Sequence, residues 1–284
     1  MRFRVLIALF VSLNAGCAFF NYGDDQFRLQ MAAPGKDIVW VPTQVDIATQ
    51  MLVLAQVKPG DLVYDLGSGD GVIPIQAAKQ YGVRAVGIEY NPDLVALSKR
   101  NAIRENVQNL VTFKQGDIFV EDFSSATVLT LFLGESLNLK LMPTILKMKP
   151  GTRVISNTFR MGSWLPDQEV RVRSGEVSHS SINEIAYLWI VPANIDGTWE
   201  LTGLPNIDKA AIRFIQKIQF FDGSINQQGK QPIALENGRI RGNGIEFEFV
   251  VNSKKYSFKG QINGSQMSGI LNGDPKLVVT GKRL

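Results

Sequence analysis

The chain has 284 residues, more than one typical domain, with 45% hydrophobic and 20% charged side chains and a formal net charge of +4. That composition excludes a disordered or fibrous chain, and a single cysteine excludes an internal disulfide framework. Residues 1–194 hold 18 basic and 18 acidic side chains and residues 195–284 hold 12 and 8, without a dense basic patch, so no nucleic-acid partner is expected.

Met1-Arg2-Phe3-Arg4 is basic, residues 5–13 are apolar, and Asn14-Ala15-Gly16-Cys17 are small or polar. This is the pattern of a secretory signal, too short to span a membrane. Cys17 stands where a bacterial lipoprotein signal places the lipidated residue, and Ala15-Gly16-Cys17 fit that signal while Asn14 departs from it. The expectation is a signal over 1–17, membrane association through a lipidated Cys17, and a cell-envelope location. Cleavage after Ala18 and a cytoplasmic protein with an apolar start are the rival readings.

Residues 21–37 are polar and mixed, and read as a linker or a loosely attached lid. After Trp40-Val41-Pro42-Thr43, an apolar stripe at Val45, Ile47, Ala48, Met51, Leu52, Leu54 and Ala55 predicts a helix over 44–57, with Thr43 as its N-cap. Lys58-Pro59-Gly60-Asp61 ends it. A buried strand then runs to Asp65, three glycines follow at 67, 69 and 71, and an apolar helix pattern resumes at Val72.

Strand, glycine turn and helix open a nucleotide-type site. Bare backbone admits a close ligand, and the helix start offers free N–H groups. The spacing is G-x-G-x-G, not the G-x-G-x-x-G of a dinucleotide fingerprint. A second strand, 84–89, ends in Glu89, a carboxylate suited to accept from two ribose hydroxyls. A third, 110–113, runs into Gly116-Asp117. This ordered set resembles the S-adenosylmethionine (SAM) pocket of the Rossmann-like methyltransferases. The resemblance implies SAM as cofactor, the loop Gly67, Ser68, Gly69, Asp70 and Gly71 with Asp65 at its methionine end, Glu89 at its ribose and Asp117 at its adenine. Tyr90, Ile118 and Phe132 are implied as their neighbours.

Downstream, Asn91-Pro92 starts a helix over 93–105, and a strand over 127–133 precedes a helix over 135–147. Lys149-Pro150-Gly151 turns into a strand over 153–157. Segments 169–173 and 185–191 read as a closing antiparallel hairpin. The expected fold of 18–194 is therefore α/β: a Rossmann-like SAM-methyltransferase sheet, parallel with an antiparallel hairpin. From 195 to 284 six short strands are expected, over 197–201, 212–221, 244–249, 256–260, 267–271 and 277–281. Turns are expected at Asp222-Gly223, Asn237-Gly238, Asn263-Gly264 and Asn272-Gly273. This predicts a small all-β domain, barrel or sandwich, that packs or binds, with Trp199 in its core.

Trp40-Val41-Pro42-Thr43 and the run from Pro59 to Gly71 resemble the lysine methyltransferases that modify the c-ring protein of ATP synthase and the adenine nucleotide translocase. That family's loop usually continues with Arg where this chain has Val72. The resemblance implies a protein-lysine acceptor. Methyl transfer from a sulfonium needs alignment and an unprotonated acceptor, and so few special residues. The candidates are Glu135, which can orient or deprotonate an amine or merely complement a helix dipole, and Asn157 after the fifth strand. Phe159 and Trp164 can line an acceptor channel. His179, the only histidine, reads as a surface residue, and no metal ligands cluster. The alternatives are an exported binding protein that keeps the fold without turnover, and propylamine transfer from decarboxylated SAM.

Overall fold

The computed structural model describes residues 40–171 and 185–284. The expected signal with Cys17, the linker and His179 lie outside the described residues.

Helix α1 (Val45–Leu54) precedes β1 (Leu62–Leu66), α2 (Val72–Tyr81), β2 (Arg84–Glu89), α3 (Pro92–Arg104) and β3 (Val111–Gln115). Then come β4 (Val128–Leu131), α4 (Glu135–Ile145), β5 (Arg153–Asn157), β6 (Gln168–Arg171) and β7 (Ile185–Ile190). Gln44, not Thr43, caps α1, and its side chain makes no cap bond. Asn91 caps α3 as the Asn-Pro pair implies, its side chain accepting from Asp93 N–H at 2.9 Å.

The seven strands lie in the order β3-β2-β1-β4-β5-β7-β6. β1 to β5 are parallel, while β7 pairs antiparallel with both β5 and β6. Strand order reverses between β1 and β4, and such a switch point opens a crevice at the strands' carboxyl ends. Alternation along the strands feeds two cores. Ile47, Met51, Leu52 of α1 and Ile75 of α2 meet Val63, Val128 and Ile155 on one face. Leu137, Leu141 and Ile145 of α4 meet Leu66, Leu131, Val154 and Trp189 on the other.

The remaining strands are β8 (Gly197–Leu204), β9 (Ile207–Lys217), β10 (Phe220–Asn226), β11 (Ile233–Arg241), β12 (Gly244–Val251), β13 (Lys254–Asn263), β14 (Gln266–Leu271) and β15 (Asp274–Arg283). Each pairs antiparallel with its successor, and β15 returns to β8, closing a barrel. Closure leaves no free edge. Its interior is filled by rings: Phe214 meets Phe221 edge-on with centroids 5.2 Å apart, and Phe247 lies 4.7 Å from Phe258. Each fully buried phenylalanine there stabilises the barrel by about 1.5–3 kcal/mol.

Eight strands replace the six expected. The single strand expected over 212–221 is two, β9 and β10, joined through Ile218 in a left-handed conformation (φ 57). Asp222-Gly223 and Asn237-Gly238 are not turns; they sit inside β10 and β11, with a register shift between Glu236 and Arg239. Asn263-Gly264 and Asn272-Gly273 do turn the chain.

The barrel seats on the sheet edge opposite the strands' carboxyl ends. Gly242 backs onto Gly151, just before β5, and its carbonyl accepts from Ala193 N–H at 2.8 Å. Gln216 donates to the carbonyls of Ala193 (3.0 Å) and Ile218 (2.7 Å) and accepts from Ile195 N–H. The Asp167 carboxylate, 1% exposed, pairs with Arg239 at 3.1 Å and Arg241 at 3.7 Å across the junction. It also accepts from Ile190 N–H, so a buried charge is satisfied from both units.

Candidate active site

The crevice is shaped by the turn between β1 and α2. Gly67 and Ser68 N–H both donate to the Ile88 carbonyl, at 2.8 and 3.1 Å, binding the loop to the end of β2. Gly69 takes φ 53, where a side chain is strained, and a Cβ there would collide with the Trp40 indole nitrogen. The indole of Trp40 therefore rests directly on the loop.

Glu89 ends β2, and its two oxygens accept from different segments: Oε2 from Gly69 N–H at 2.9 Å and Oε1 from Asn91 N–H at 2.8 Å. Each carboxylate oxygen has two acceptor positions, so both retain capacity for a ligand hydroxyl. Gly116 N–H donates to the Glu89 carbonyl at 2.9 Å, bringing the end of β3 alongside. There Asp117 Oδ1 accepts from Phe119 N–H at 2.9 Å, with Ile118 partly buried beside it. Tyr90 stands half exposed at the rim.

Asp65 is buried at the end of β1, where the Thr130 hydroxyl of β4 donates to its Oδ1 at 2.6 Å. Burial pushes its carboxyl up to about 7, against the Thr130 bond and helped by the nearby Glu89 and Asp70 charges. Burial also raises Asp70, against the N–H groups of Val72 and of Asp70 itself. The Asp70 carbonyl is held by Asn101 of α3 at 2.9 Å.

Beyond β4 and β5 the site is aromatic. Phe132 and Phe159 stack with centroids 5.8 Å apart. Asn138 of α4 donates to Ser156 Oγ (3.0 Å) and approaches the carbonyls of Phe159 and Arg160 (3.3 Å each), fixing the segment that carries Phe159. Glu135 is exposed at the first turn of α4. Asn157 is fully buried, and by strand alternation its side chain falls on the α1 face with Ile155, whereas Ser156 faces α4. Trp164 is core: it is fully buried, and its carbonyl accepts from Trp189 Nε1 at 2.8 Å.

Among the described residues three buried side-chain oxygens, Ser68 Oγ in the loop, Gln44 Oε1 at the start of α1 and Asn138 Oδ1 on α4, make no hydrogen bond. Buried polar atoms are rarely left so, and the Ser68 oxygen, in the glycine loop itself, fits a polar ligand there. Among the described residues no group of His, Cys, Asp or Glu can hold a metal. A separate polar concavity of about 660 Å³ lies on the outer barrel wall, lined by Glu200, Thr202, Gln261, Ser268 and Lys282 and remote in sequence from the loop.

Comparison with known proteins decides the family. Residues 65–168 match the ANTKMT methyltransferase domain. A protein-lysine N-methyltransferase of Saccharolobus islandicus is 37% identical over 156 residues, which cover 54% of this chain and 94% of that protein. The chain belongs to this methyltransferase family.

The solved structure of an RNA methyltransferase from Salinibacter ruber, in complex with S-adenosyl-L-homocysteine, is 45% identical and covers 55% of this methyltransferase and 96% of that chain, at a TM-score of 0.50. The adenine nucleotide translocase lysine N-methyltransferase of Mus musculus is 36% identical over 119 residues, 41% of this chain and 51% of that protein. The methyltransferase is SAM-dependent, and the fold and cofactor expected from its glycine loop and strand-end acids are those of its relatives.

Sequence reasoning missed Thr130 as the partner of Asp65, and Trp40 as the cover of Gly69. A lone threonine within the apolar strand Val128–Leu131 was the available signal for the first. No local pattern marks the second.

Proposed function

We propose that this methyltransferase methylates protein lysine. The observation that carries the proposal is 37% identity across nearly all of a protein-lysine N-methyltransferase, with an aromatic pair, Phe132 and Phe159, after β4 and β5 and Glu135 three residues after Phe132.

In this reading Gly67, Ser68, Gly69, Asp70 and Gly71 lie against the methionine end of the cofactor, with Asp65 beneath. Glu89 takes the ribose hydroxyls while its Gly69 bond holds the loop in place. Asp117 and Ile118 face the adenine, with Tyr90 at the rim and Trp40 over the loop. The cofactor supplies a methyl group on a positively charged sulfur. Phe132 and Phe159 hold the aliphatic stem of the incoming lysine and exclude water, which favours its neutral amine. Glu135 receives the ammonium proton, directly or through water, so that the nitrogen lone pair is free. The nitrogen–carbon bond forms as the carbon–sulfur bond breaks, the electron pair staying on sulfur and the positive charge passing to nitrogen.

The test is labelled-methyl transfer from SAM into extracts, followed by hydrolysis and separation of methylated lysines. Label in mono-, di- or trimethyllysine supports the reading. Label removed by ribonuclease contradicts it and favours RNA, the second reading that the Salinibacter ruber relative supports.

For the amino terminus we propose a lipoprotein signal ending at Cys17, on sequence pattern alone. Mass spectrometry of the mature protein tests it: a diacylglyceryl-modified Cys17 supports envelope tethering, and an intact Met1 start contradicts it.

A further inference from the structure

Three residues past β5, the Arg160 guanidinium lies over the face of the Tyr187 ring, 4.8 Å from its centroid. Its NH2 reaches Glu169 Oε2 at 3.2 Å. Tyr187 and Glu169 are direct partners across β7 and β6. The Tyr187 ring is 5% exposed, but the Arg160 and Glu169 side chains are 49% and 53% exposed, so the cation over the ring is open to exchange. The Tyr187 phenolic oxygen first, then the Glu169 and Glu135 carboxylates, hold the guanidinium above its ordinary value. Arg160 adjoins Phe159, whose ring stacks on Phe132, and Asn138 fixes both carbonyls. The cation is thus carried by the residue that follows the Phe159 ring in the chain, on a segment held by Asn138.

We propose that Tyr187 and Glu169 form the docking seat for the acceptor's cationic side chain, which Arg160 occupies in the free enzyme. The seat rests on the lysine reading and adds its entry point. An aromatic face flanked by a carboxylate recognises an alkylammonium whether or not it is methylated, because each added methyl keeps the charge and spreads it over apolar surface. A lysine arriving protonated displaces Arg160, docks, and passes inward past Phe132 to lose its proton. A mono- or dimethylated product still fits the seat, so it can be retained for a further transfer.

The experiment uses the full chain saturated with S-adenosylhomocysteine. It titrates N-acetyl-lysine methylamide and its Nζ-trimethyl form into wild type, Arg160→Gln and Glu169→Gln. Removing the internal competitor should tighten both probes by about fivefold, and removing the carboxylate should weaken them by about fivefold, as partly exposed cation–π and ion pairs allow. S-adenosylhomocysteine affinity should stay within about twofold in both variants, since neither residue lies at the glycine loop. With a lysine peptide, Arg160→Gln should lower KM and leave kcat unchanged. Equal probe affinities in all three proteins, or weaker binding in Arg160→Gln, would overturn the seat and assign Arg160 a structural role. The two proposals fail separately: lysine turnover with flat titrations removes only the seat. The expected titrations without lysine turnover remove only the lysine reading and leave a cation seat for another amine.

Discussion

Gly69 N–H donates to Glu89 Oε2 at 2.9 Å, across 20 residues of sequence. One bond thus joins the centre of the glycine loop to the acid at the end of the neighbouring strand. In the proposed reading it fixes where the ribose and the methionine moiety lie relative to each other before either arrives, and preorganisation of that kind lowers the ordering cost of binding. Replacing Glu89 with Ala removes both the loop tether and the ribose acceptor. Affinity for S-adenosylhomocysteine should fall about 100-fold, measured by calorimetry, the loss of charge-assisted hydrogen bonds worth about 3 kcal/mol. Glu89→Gln keeps one acceptor oxygen and should lose less.

Gly69→Ala forces a Cβ into the Trp40 indole and places alanine at φ 53. The backbone part costs about 1 kcal/mol or more, and the collision adds to it. The variant should melt lower and bind cofactor weakly. Gly69→Ala with Trp40→Ala should recover the collision part of the melting temperature and not the backbone part. A double variant no more stable than Gly69→Ala alone would show that Trp40 does not crowd the loop.

In the proposed reading Asp65 links cofactor binding to pH. Its carboxyl is raised from 3.8 to about 7, so it is largely protonated at pH 6 and ionised at pH 8. The cofactor is cationic at sulfur and amine and favours the ionised form, so binding releases a proton near neutrality. SAM affinity should be up to about tenfold weaker at pH 6 than at pH 8. Asp65→Asn should flatten that dependence. The free protein should behave in the opposite sense: between pH 4 and 7 its folded state holds a proton that the unfolded state lacks, so stability falls as pH rises through that window.

Asp61 behaves in the reverse direction. Burial alone would raise its carboxyl, but Arg153, Lys58 N–H and the Thr127 hydroxyl outweigh it and leave the carboxyl below 3.8. Arg153 also donates to the carbonyls of Ala55 (3.0 Å) and Gln56 (2.8 Å), tying the end of α1 to β1 and β5. The stability this cluster contributes is complete above pH 4 and lost as pH falls through the lowered folded value. Acid unfolding of Asp61→Asn should therefore depend less on pH below 4 than that of the wild type.

Asp167→Ala leaves Arg239 and Arg241 without their shared carboxylate at the junction of sheet and barrel. Because both arginines remain about half exposed, the cost should be about 2 kcal/mol, below that of a fully buried pair. Thermal unfolding should drop accordingly, and cofactor affinity should not change, since the barrel sits on the edge opposite the glycine loop. A loss of cofactor affinity without loss of stability would mean the barrel communicates with the site.

The sheet was legible because strand, glycine loop and helix each leave a local signature, and β5 (Arg153–Asn157) fell where Lys149-Pro150-Gly151 placed its start. The barrel was less so. Gly223 and Gly238 are glycines because a Cβ would meet the Arg213 and Phe221 carbonyls of neighbouring strands, not because the chain turns there. The real turn after β9 runs through Ile218 at φ 57, a residue with no turn propensity of its own. At the site, Glu89 and the loop could be read from spacing, whereas Trp40 over Gly69 and Arg160 over Tyr187 exist only once distant segments pack.

The most direct measurement is a calorimetric titration of the folded full chain with S-adenosylhomocysteine at pH 8. One saturable site per chain, abolished or severely weakened in Glu89→Ala while the fold persists, is the predicted result. A folded wild type that takes up no S-adenosylhomocysteine, or a Glu89→Ala variant that takes it up equally well, would contradict the account.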